Sequence, residues 1–332
     1  MDAAKSHLNP QSPRIPLRGA GGGASLPPAM KRFPLLTLVP LLLALPAGAA
    51  VILSGAANNT APSGQPYFSN IGTLNGASAI YLGGGWVATA AHVAGSLPAS
   101  VNFGGTAYAT SAGTYHHLGN PSGSGLSALT DLAVFQLSTS PPLPTVPIAA
   151  ATPSAGTDLM MIGAGRLQAA TPTYWQVTVV AGPGNDIWTE VTPPGQSYNA
   201  AGFKTTATNI VRWGENEVDA TGITVNYGLG DVYGYTTSFD TGAMTHEAQA
   251  VVGDSGGGVF HQVAGAWQLS GMMVTISTYE NQPGYTAVIG NETYMVDLTY
   301  YRNEILAVIP EPSAPILAVG GLCLCLRRKR PR

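Results

Sequence analysis

Cysteine is nearly absent from this chain. Of 332 residues only Cys323 and Cys325 carry a thiol, and both lie close to the C-terminal end. Residues 51–309 hold none, so the disulfides on which many exported domains rely are excluded there. A body of about 260 residues is long enough to be held by its own core. Charge is also scarce, at 9% Asp, Glu, Lys and Arg, and it is unevenly spread. Five of the 14 basic residues fall at or before Arg32 and five at or after Arg327. Residues 51–309 keep only Arg166, Lys204, Arg212 and Arg302 against 15 acids, a formal charge of −11. An acidic body lacks the basic footprint that nucleic acid requires, so no nucleic-acid partner is expected. Long apolar runs are missing too. The two that exist, 33–45 and 314–326, fall short of the roughly 20 residues of a membrane span.

Those two short runs read as address labels. Met30-Lys31-Arg32, the apolar stretch 33–45 and the small residues Ala47-Gly48-Ala49-Ala50 have the order of a signal peptide. Residues 1–29 fit no signal region, so the start is placed at Met30 and 1–50 is an N-terminal extension with a leader. At the other end Pro310-Glu311-Pro312 precedes 314–326 and the cluster Arg327-Arg328-Lys329-Arg330-Pro331-Arg332. An apolar run closed by basic residues halts in a membrane with the basic end in the cytoplasm. The run is short, so the expected membrane contact is transient. Cys323-Leu324-Cys325 sits within the apolar stretch and does not read as a metal site.

The body is rich in Gly, Thr, Ser, Ala and Val, which disfavours long helices and suits short strands. Apolar or alternating runs at 78–82, 86–89, 132–137, 159–162, 175–180, 258–260 and 267–276 are bounded by turn residues, the pattern of an all-β barrel or sandwich. Residues 294–309 carry Met295, Leu298, Tyr301, Ile305 and Ile309 roughly on one helical face, so a C-terminal helix is expected there. Pro141-Pro142-Leu143-Pro144 and Pro147 cannot continue a central strand. They divide the body into halves, about 51–140 and 148–309. The polar, Gly-rich stretch 183–235 reads as longer loops and hairpins of the second half.

Chemistry-bearing residues come in three pieces: Thr89-Ala90-Ala91-His92, Thr130-Asp131-Leu132-Ala133-Val134 and Gly253-Asp254-Ser255-Gly256-Gly257-Gly258. A serine hydroxyl needs an adjacent base to attack at neutral pH. His92 follows a buried-type run and is the candidate base. Asp131 is the candidate that fixes its tautomer and stabilises the imidazolium. Ser255 is the candidate nucleophile, and the backbone N–H groups of Gly253 and Ser255 can face a developing oxyanion. The order His, Asp, Ser is that of the chymotrypsin type and not of the α/β-hydrolases, although Gly253-Asp254-Ser255-Gly256-Gly257 matches Gly-x-Ser-x-Gly formally. His116, His117, His246 and His261, and Asp158 and Asp186, are rivals without matching flanks. No metal and no cofactor is implied.

Gly84-Gly85-Trp86-Val87-Ala88-Thr89-Ala90-Ala91-His92, Asp131-Leu132-Ala133-Val134-Phe135-Gln136-Leu137 and Gly253-Asp254-Ser255-Gly256-Gly257 together resemble the trypsin-like (chymotrypsin-fold) serine endopeptidases over 51–309. The resemblance implies an all-β fold of two antiparallel six-stranded β-barrels and hydrolysis of protein or peptide substrates through an acyl-enzyme. It also implies Gln249, six residues before Ser255, as a candidate floor of the substrate pocket. Val274 or a neighbour stands on the substrate edge where many relatives have Ser. With no Asp at 249, a preference for Arg or Lys is not supported. A cut after Ala50 would free Val51, and in that family a new amino terminus pairs with the Asp before the nucleophile, here Asp254. A cut after Ala49 would weaken that pairing.

Residues 310–332 resemble the PEP-CTERM sorting signal of Gram-negative bacteria. That resemblance implies an exosortase-type processing enzyme as partner and delivery to the cell envelope, surface or extracellular matrix. Two other classes of function remain open on sequence: a non-catalytic binding or matrix protein on the same fold, and a β-rich surface protein whose motifs are only turns.

Overall fold

The computed structural model describes residues 51–52, 58–241 and 244–309. The expected leader, the expected start at Met30 and the expected sorting tail lie outside the described residues. The first half contains β1 (Val51–Ile52), β2 (Ile71–Leu74), β3 (Ala77–Gly83), β4 (Trp86–Thr89), the single helical turn α1 (Ala91–Ala94), β5 (Ser100–Phe103), β6 (Thr106–Ala109), β7 (His116–Gly119) and β8 (Leu129–Gln136). The second contains β9 (Asp158–Gly163), β10 (Arg166–Gln168), β11 (Thr173–Thr178), β12 (Ile187–Val191), β13 (Ala200–Asn209), β14 (Arg212–Glu217) and β15 (Ala220–Asn226). It continues with β16 (Asp231–Ser238), β17 (Ala248–Gln249), β18 (Gly258–Val263), β19 (Ala266–Ile276), β20 (Thr286–Val288), β21 (Glu292–Asp297) and α2 (Arg302–Val308).

The first half is one antiparallel sheet in the order β6-β5-β2-β3-β4-β8-β7. A bridge between Thr110 and Leu137 brings the β6 edge back to β8, which curls the sheet into a barrel. The second half is a sheet in the order β14-β9-β18-β19-β21-β16-β15. Its β14 side returns toward β16 through Asn216, which donates to Ser238 O at 2.8 Å. The two-barrel all-β architecture is the one expected, with seven paired strands in each sheet where the resemblance implies six. Residues 183–235 contain hairpins, as expected, with β15 paired antiparallel to β16. They supply β12 to β16, of which β12 and β13 join β10, β11 and β20 in a further five-stranded sheet.

Side-chain alternation explains how the barrels meet. Ile80 and Leu82 point into the largest apolar cluster, whereas Ala79 and Tyr81 point into the first barrel with Val87, Val101, Phe103 and Phe135. In β9, Met160 and Ile162 join the large cluster while Leu159 and Met161 join a second-barrel cluster with Tyr235, Val259 and Met273. The large cluster therefore takes one face from each barrel. Successive side chains leave a strand on opposite faces, so β3 and β9 are buried on both, which is why their sequences read as unbroken apolar runs. The proline-rich crossing runs along this seam, with Val146 N donating to Leu82 O at 3.1 Å and Ala149 N to Leu269 O at 2.8 Å.

The C-terminal helix is present but shorter than the apolar spacing suggests. Residues 294–297 belong to β21, paired with β16 and β19. Met295 faces the second-barrel cluster and Tyr294 and Val296 the seam, so the period of two decides this segment. Several turns follow from local chemistry. Asn75-Gly76 joins β2 to β3 with φ of 50° and 77°, the pair of positive angles that a two-residue hairpin prefers and that Asn-Gly accepts with little strain.

The core also holds a misplaced acid. Glu247 is fully buried and its backbone bridges to that of Glu215. Burial first, and then the charges of Asp240, Asp219 and Glu217, raise its carboxyl from 4.5 to about 8. The folded state thus favours protonated Glu247, and this contribution to stability is present below about 4.5 and lost as pH rises through about 8. Glu247→Gln should flatten the fall in stability between these values and raise the urea midpoint at pH 8. Denaturation of wild type and variant across pH 5–8 checks this, and parallel curves would contradict it.

Candidate active site

His92 is delivered by a strand that is buried along its length. All four residues of β4 are buried, and β4 pairs with β8 through Thr89 and Ala133. The chain then makes the one turn of α1 and stops at Gly95, whose φ is 63°. Asp131 lies two residues before Ala133 on β8 and is fully buried. Its carboxylate accepts the His92 backbone N–H on Oδ1 at 2.8 Å and the imidazole Nδ1 on Oδ2 at 2.6 Å. A carboxylate accepts only, so Nδ1 carries a proton, and in the neutral ring Nε2 presents a lone pair. The His92 side chain is 30% exposed, so the ring is open to a reactant while its anchor is dry.

A third donor reaches the same carboxylate. Tyr227, between β15 and β16, donates its hydroxyl to Asp131 Oδ2 at 2.5 Å. Its ring stands edge-on to His92 with centroids 6.5 Å apart. Burial, followed by the charge and hydrogen bond of Asp131, raises the phenol far above its ordinary range, so it stays a donor. Sequence reading missed Tyr227, since a lone tyrosine in a Gly- and Asn-rich loop carries no local signal.

Ser255 sits on a tight loop after β17. Gly253 and Gly256 have φ of 98° and 85°. A Cβ at Gly256 would lie 2.1 Å from Ser78 O and 2.5 Å from Thr89 Oγ1. Asp254 N donates to Val251 O, Gly256 N to Met273 O and Gly257 N to Asp254 O. Among the described residues the N–H groups of Gly253 and Ser255 find no acceptor, so this loop alternates occupied and free donors. The Ser255 hydroxyl donates to Val274 O at 3.3 Å. No hydrogen bond joins it to His92.

Ser78 ties the loop to the His92 strand. Its N–H donates to Ser255 O at 3.0 Å, and its hydroxyl donates to Gly253 O at 2.9 Å and accepts Ala164 N at 2.8 Å. Thr89, three residues before His92, donates to Ser78 O at 2.8 Å. Ser78, which the sequence reading passed over, thus links the strand that leads to His92 with the loop that carries Ser255. Its signal was a hydroxyl inside an otherwise apolar strand.

The remaining candidates take other places. Asp254 is fully buried and accepts Val251 N and Gly165 N, each at 2.8 Å. Burial raises its carboxyl from 3.8 to about 7, opposed by these two bonds and by the charge of Arg212. Arg212 is itself buried and donates to Gln168 Oε1 at 3.4 Å. The same Oε1 accepts Ile52 N at 2.9 Å. Val51–Ile52 pairs with β17, opposite Gln249 and Ala248. Gln249 is buried and its amide donates to Asn291 Oδ1 at 3.3 Å. Val274 is buried in the seam cluster and meets Ser255 through its carbonyl.

Rival bases and acids are engaged elsewhere. His117 bonds Thr130 O at 2.8 Å, and His116 is exposed beside Trp86. His246 packs edge-on against Trp213, and His261 lies on β18. Asp186 accepts Val180 N, and Asp158 is exposed at the start of β9. Among the described residues no group of three or more His, Cys, Asp or Glu side chains is arranged to hold a metal ion.

No family model matches the chain, and no curated protein matches it in sequence. Solved structures do match in the course of the backbone. The Rv3671c protease of M. tuberculosis in an inactive form is 14% identical, with a TM-score of 0.41, over 75% of this chain and 91% of its own. Human heparin binding protein is 14% identical at 0.43, over 76% and 96%. Neuropsin, a serine protease of mouse brain, is 16% identical at 0.43, over 76% and 98%.

Ser78→Ala would leave Ala164 N and Gly253 O without their partner in a buried place. Losses of about 1–3 kcal/mol attend such orphaned groups. The variant should therefore lower the unfolding free energy by that amount, measured by urea denaturation. An unchanged midpoint would mean that Ser78 does not hold the Ser255 loop.

Proposed function

We propose that the chain is an exported serine endopeptidase. The observation that carries this reading is the clamped pair: a dry Asp131 fixes His92 by backbone and ring, and the loop bearing Ser255 is stitched to the strand that delivers His92. In this reading Ser255 is the nucleophile. Its hydroxyl leaves Val274 O by rotation about χ1 and turns to Nε2 of His92. Catalytic hydrogen bonds are often long or misaligned before substrate arrives.

His92 takes the hydroxyl proton as Ser255 attacks the peptide carbonyl, and Asp131 stabilises the imidazolium. The carbonyl oxygen, now an anion, meets the free N–H groups of Gly253 and Ser255, each worth roughly 2.7–4 kcal/mol at such a site. His92 then returns its proton to the leaving amine, which frees an acyl-enzyme on Ser255. Water, deprotonated by the same imidazole, releases the acid and restores the hydroxyl.

Export and sorting belong to the proposal as well. A leader at 30–50 and a tail at 310–332 would carry the protein to the envelope, surface or matrix, with an exosortase-type enzyme as partner. The body's formal charge of −11 suits that setting. No helix among the described residues is long and apolar enough to cross a membrane. A cut after Ala50 would leave Val51–Ile52 as the terminal residues of a strand seated against β17, just upstream of Ser255. The buried Gln249 and Val274 are proposed to shape the substrate side, where no Asp favours Arg or Lys.

One observation favours a second reading, a binding or matrix protein on the same fold: the Ser255 hydroxyl faces Val274 O and not His92. Digestion of unfolded casein and of a peptide library by the full chain separates the two. The endopeptidase predicts cleavage that falls by about 10⁴-fold or more in Ser255→Ala and in His92→Ala, as for other triads. Cleavage that persists in Ser255→Ala, or none in wild type, would contradict it.

A further inference from the structure

The hairpin tip Asn226-Tyr227-Gly228-Leu229-Gly230-Asp231 belongs to the second barrel, yet it is pinned to the first. Asn226 Oδ1 accepts Gly228 N at 2.9 Å, and Asn226 Nδ2 donates to Asp231 Oδ1 at 2.9 Å, which shapes the tip. Ser127 N donates to Asp231 Oδ2 at 2.7 Å, and Asp231 N donates to Ser127 Oγ at 2.6 Å. Asn120 Nδ2 donates to Asp231 O at 3.0 Å. At Gly230, φ is 103° and a Cβ would lie 2.3 Å from Leu129 O, so only glycine allows this approach. Ser127 and Leu129 lead directly into Asp131. The tip is therefore fixed against the segment that carries the carboxylate, and Tyr227 arrives from it with its hydroxyl on Oδ2.

Asp131 has no exposure to water, so protein donors must supply its solvation. Three do so: the His92 backbone N–H, the His92 ring and Tyr227. Two of these share Oδ2. The hydroxyl thus competes with the imidazole for the same oxygen and sets where that oxygen lies. Tyr115 feels the charge of Asp131 but makes no hydrogen bond to it among the described residues.

We propose that Tyr227 is a positioning residue of this site, its hydroxyl orienting Asp131 and, through it, His92. Because the hydroxyl comes from the second barrel and the carboxylate from the first, correct docking of the barrels is built into the basicity of His92. The kinetic part of this proposal rests on the endopeptidase reading, and the spectroscopic part does not.

The test compares the full chain with Tyr227→Phe, which keeps the ring and removes one oxygen, and with Tyr115→Phe as control. The His92 Nδ1 proton is followed by NMR, and kcat, KM and the pH profile are measured on a peptide substrate. Removal of the hydroxyl leaves more negative charge on Oδ2 facing the imidazole. The Nδ1 resonance should move, the acid limb of kcat/KM should shift to higher pH, and kcat should fall about tenfold with KM within twofold. Tyr115→Phe should match wild type.

A moved resonance in a protein that cleaves nothing would support the role of Tyr227 while removing the endopeptidase reading. An unchanged resonance in folded Tyr227→Phe overturns the proposal, whatever happens to activity. So does a loss confined to KM or to thermal stability. If Tyr227→Phe fails to fold, Ser127→Ala loosens the same tip, and an unmoved Nδ1 resonance there overturns the proposal equally.

Discussion

A carboxylate cut off from water must be solvated by the protein around it, and much of this site is arranged to solvate Asp131. Its donors come from three places: the turn after β4, the imidazole on that turn, and a hairpin tip of the other barrel. Each donor fixes something besides the anion. The backbone bond holds the first turn of α1, the ring bond selects the tautomer, and the Tyr227 bond joins the barrels next to the exposed face of His92. Loss of such a donor would leave a buried charge short of partners, which is far costlier than loss of a surface contact.

The apolar seam makes this arrangement possible without disulfides. It draws one face of β3 from the first barrel and one face of β9 from the second, and buries large side chains between them, among them Phe260, Tyr301 and Ile162. Two hydroxyls that cross the seam are bonded on both sides of it. Ser78 spans it between Thr89 and the Ser255 loop. Tyr301 spans it between Asn120 and Thr130 on one side and Tyr233 N on the other. The His92 side and the Ser255 side are therefore set by the same packing that holds the fold.

How much of this could be read from the sequence depended on how local each signal was. Strand runs such as 78–82 and 159–162 stood out because both faces are buried, and they recur as β3 and β9. His92, Asp131 and Ser255 were legible because each sits in a short stretch whose neighbours are constrained with it: small residues before His92, an apolar run after Asp131, glycines around Ser255. Tyr227 and Ser78 were not, since their roles arise from contacts 96 and 175 residues away in sequence. The C-terminal helix was overextended because Met295, Leu298 and Tyr301 satisfy a helical spacing by chance, while pairing of β21 with β16 and β19 decides the backbone. Within 183–235 hairpins were legible but their strand bounds were not, because most of those residues are polar or half-exposed, which hides alternation.

Whether this geometry is an assembled catalytic centre is tested most directly by chemistry at one atom. The full chain and its Ser255→Ala variant would be treated with a fluorophosphonate, and the modified residue mapped by mass spectrometry. The phosphonyl group requires a serine oxygen made nucleophilic by a base, with donors facing the new anion. The account predicts a single adduct on Ser255 that is absent from the variant. A folded wild-type protein that takes up no label, or one labelled elsewhere and equally in the variant, would contradict it.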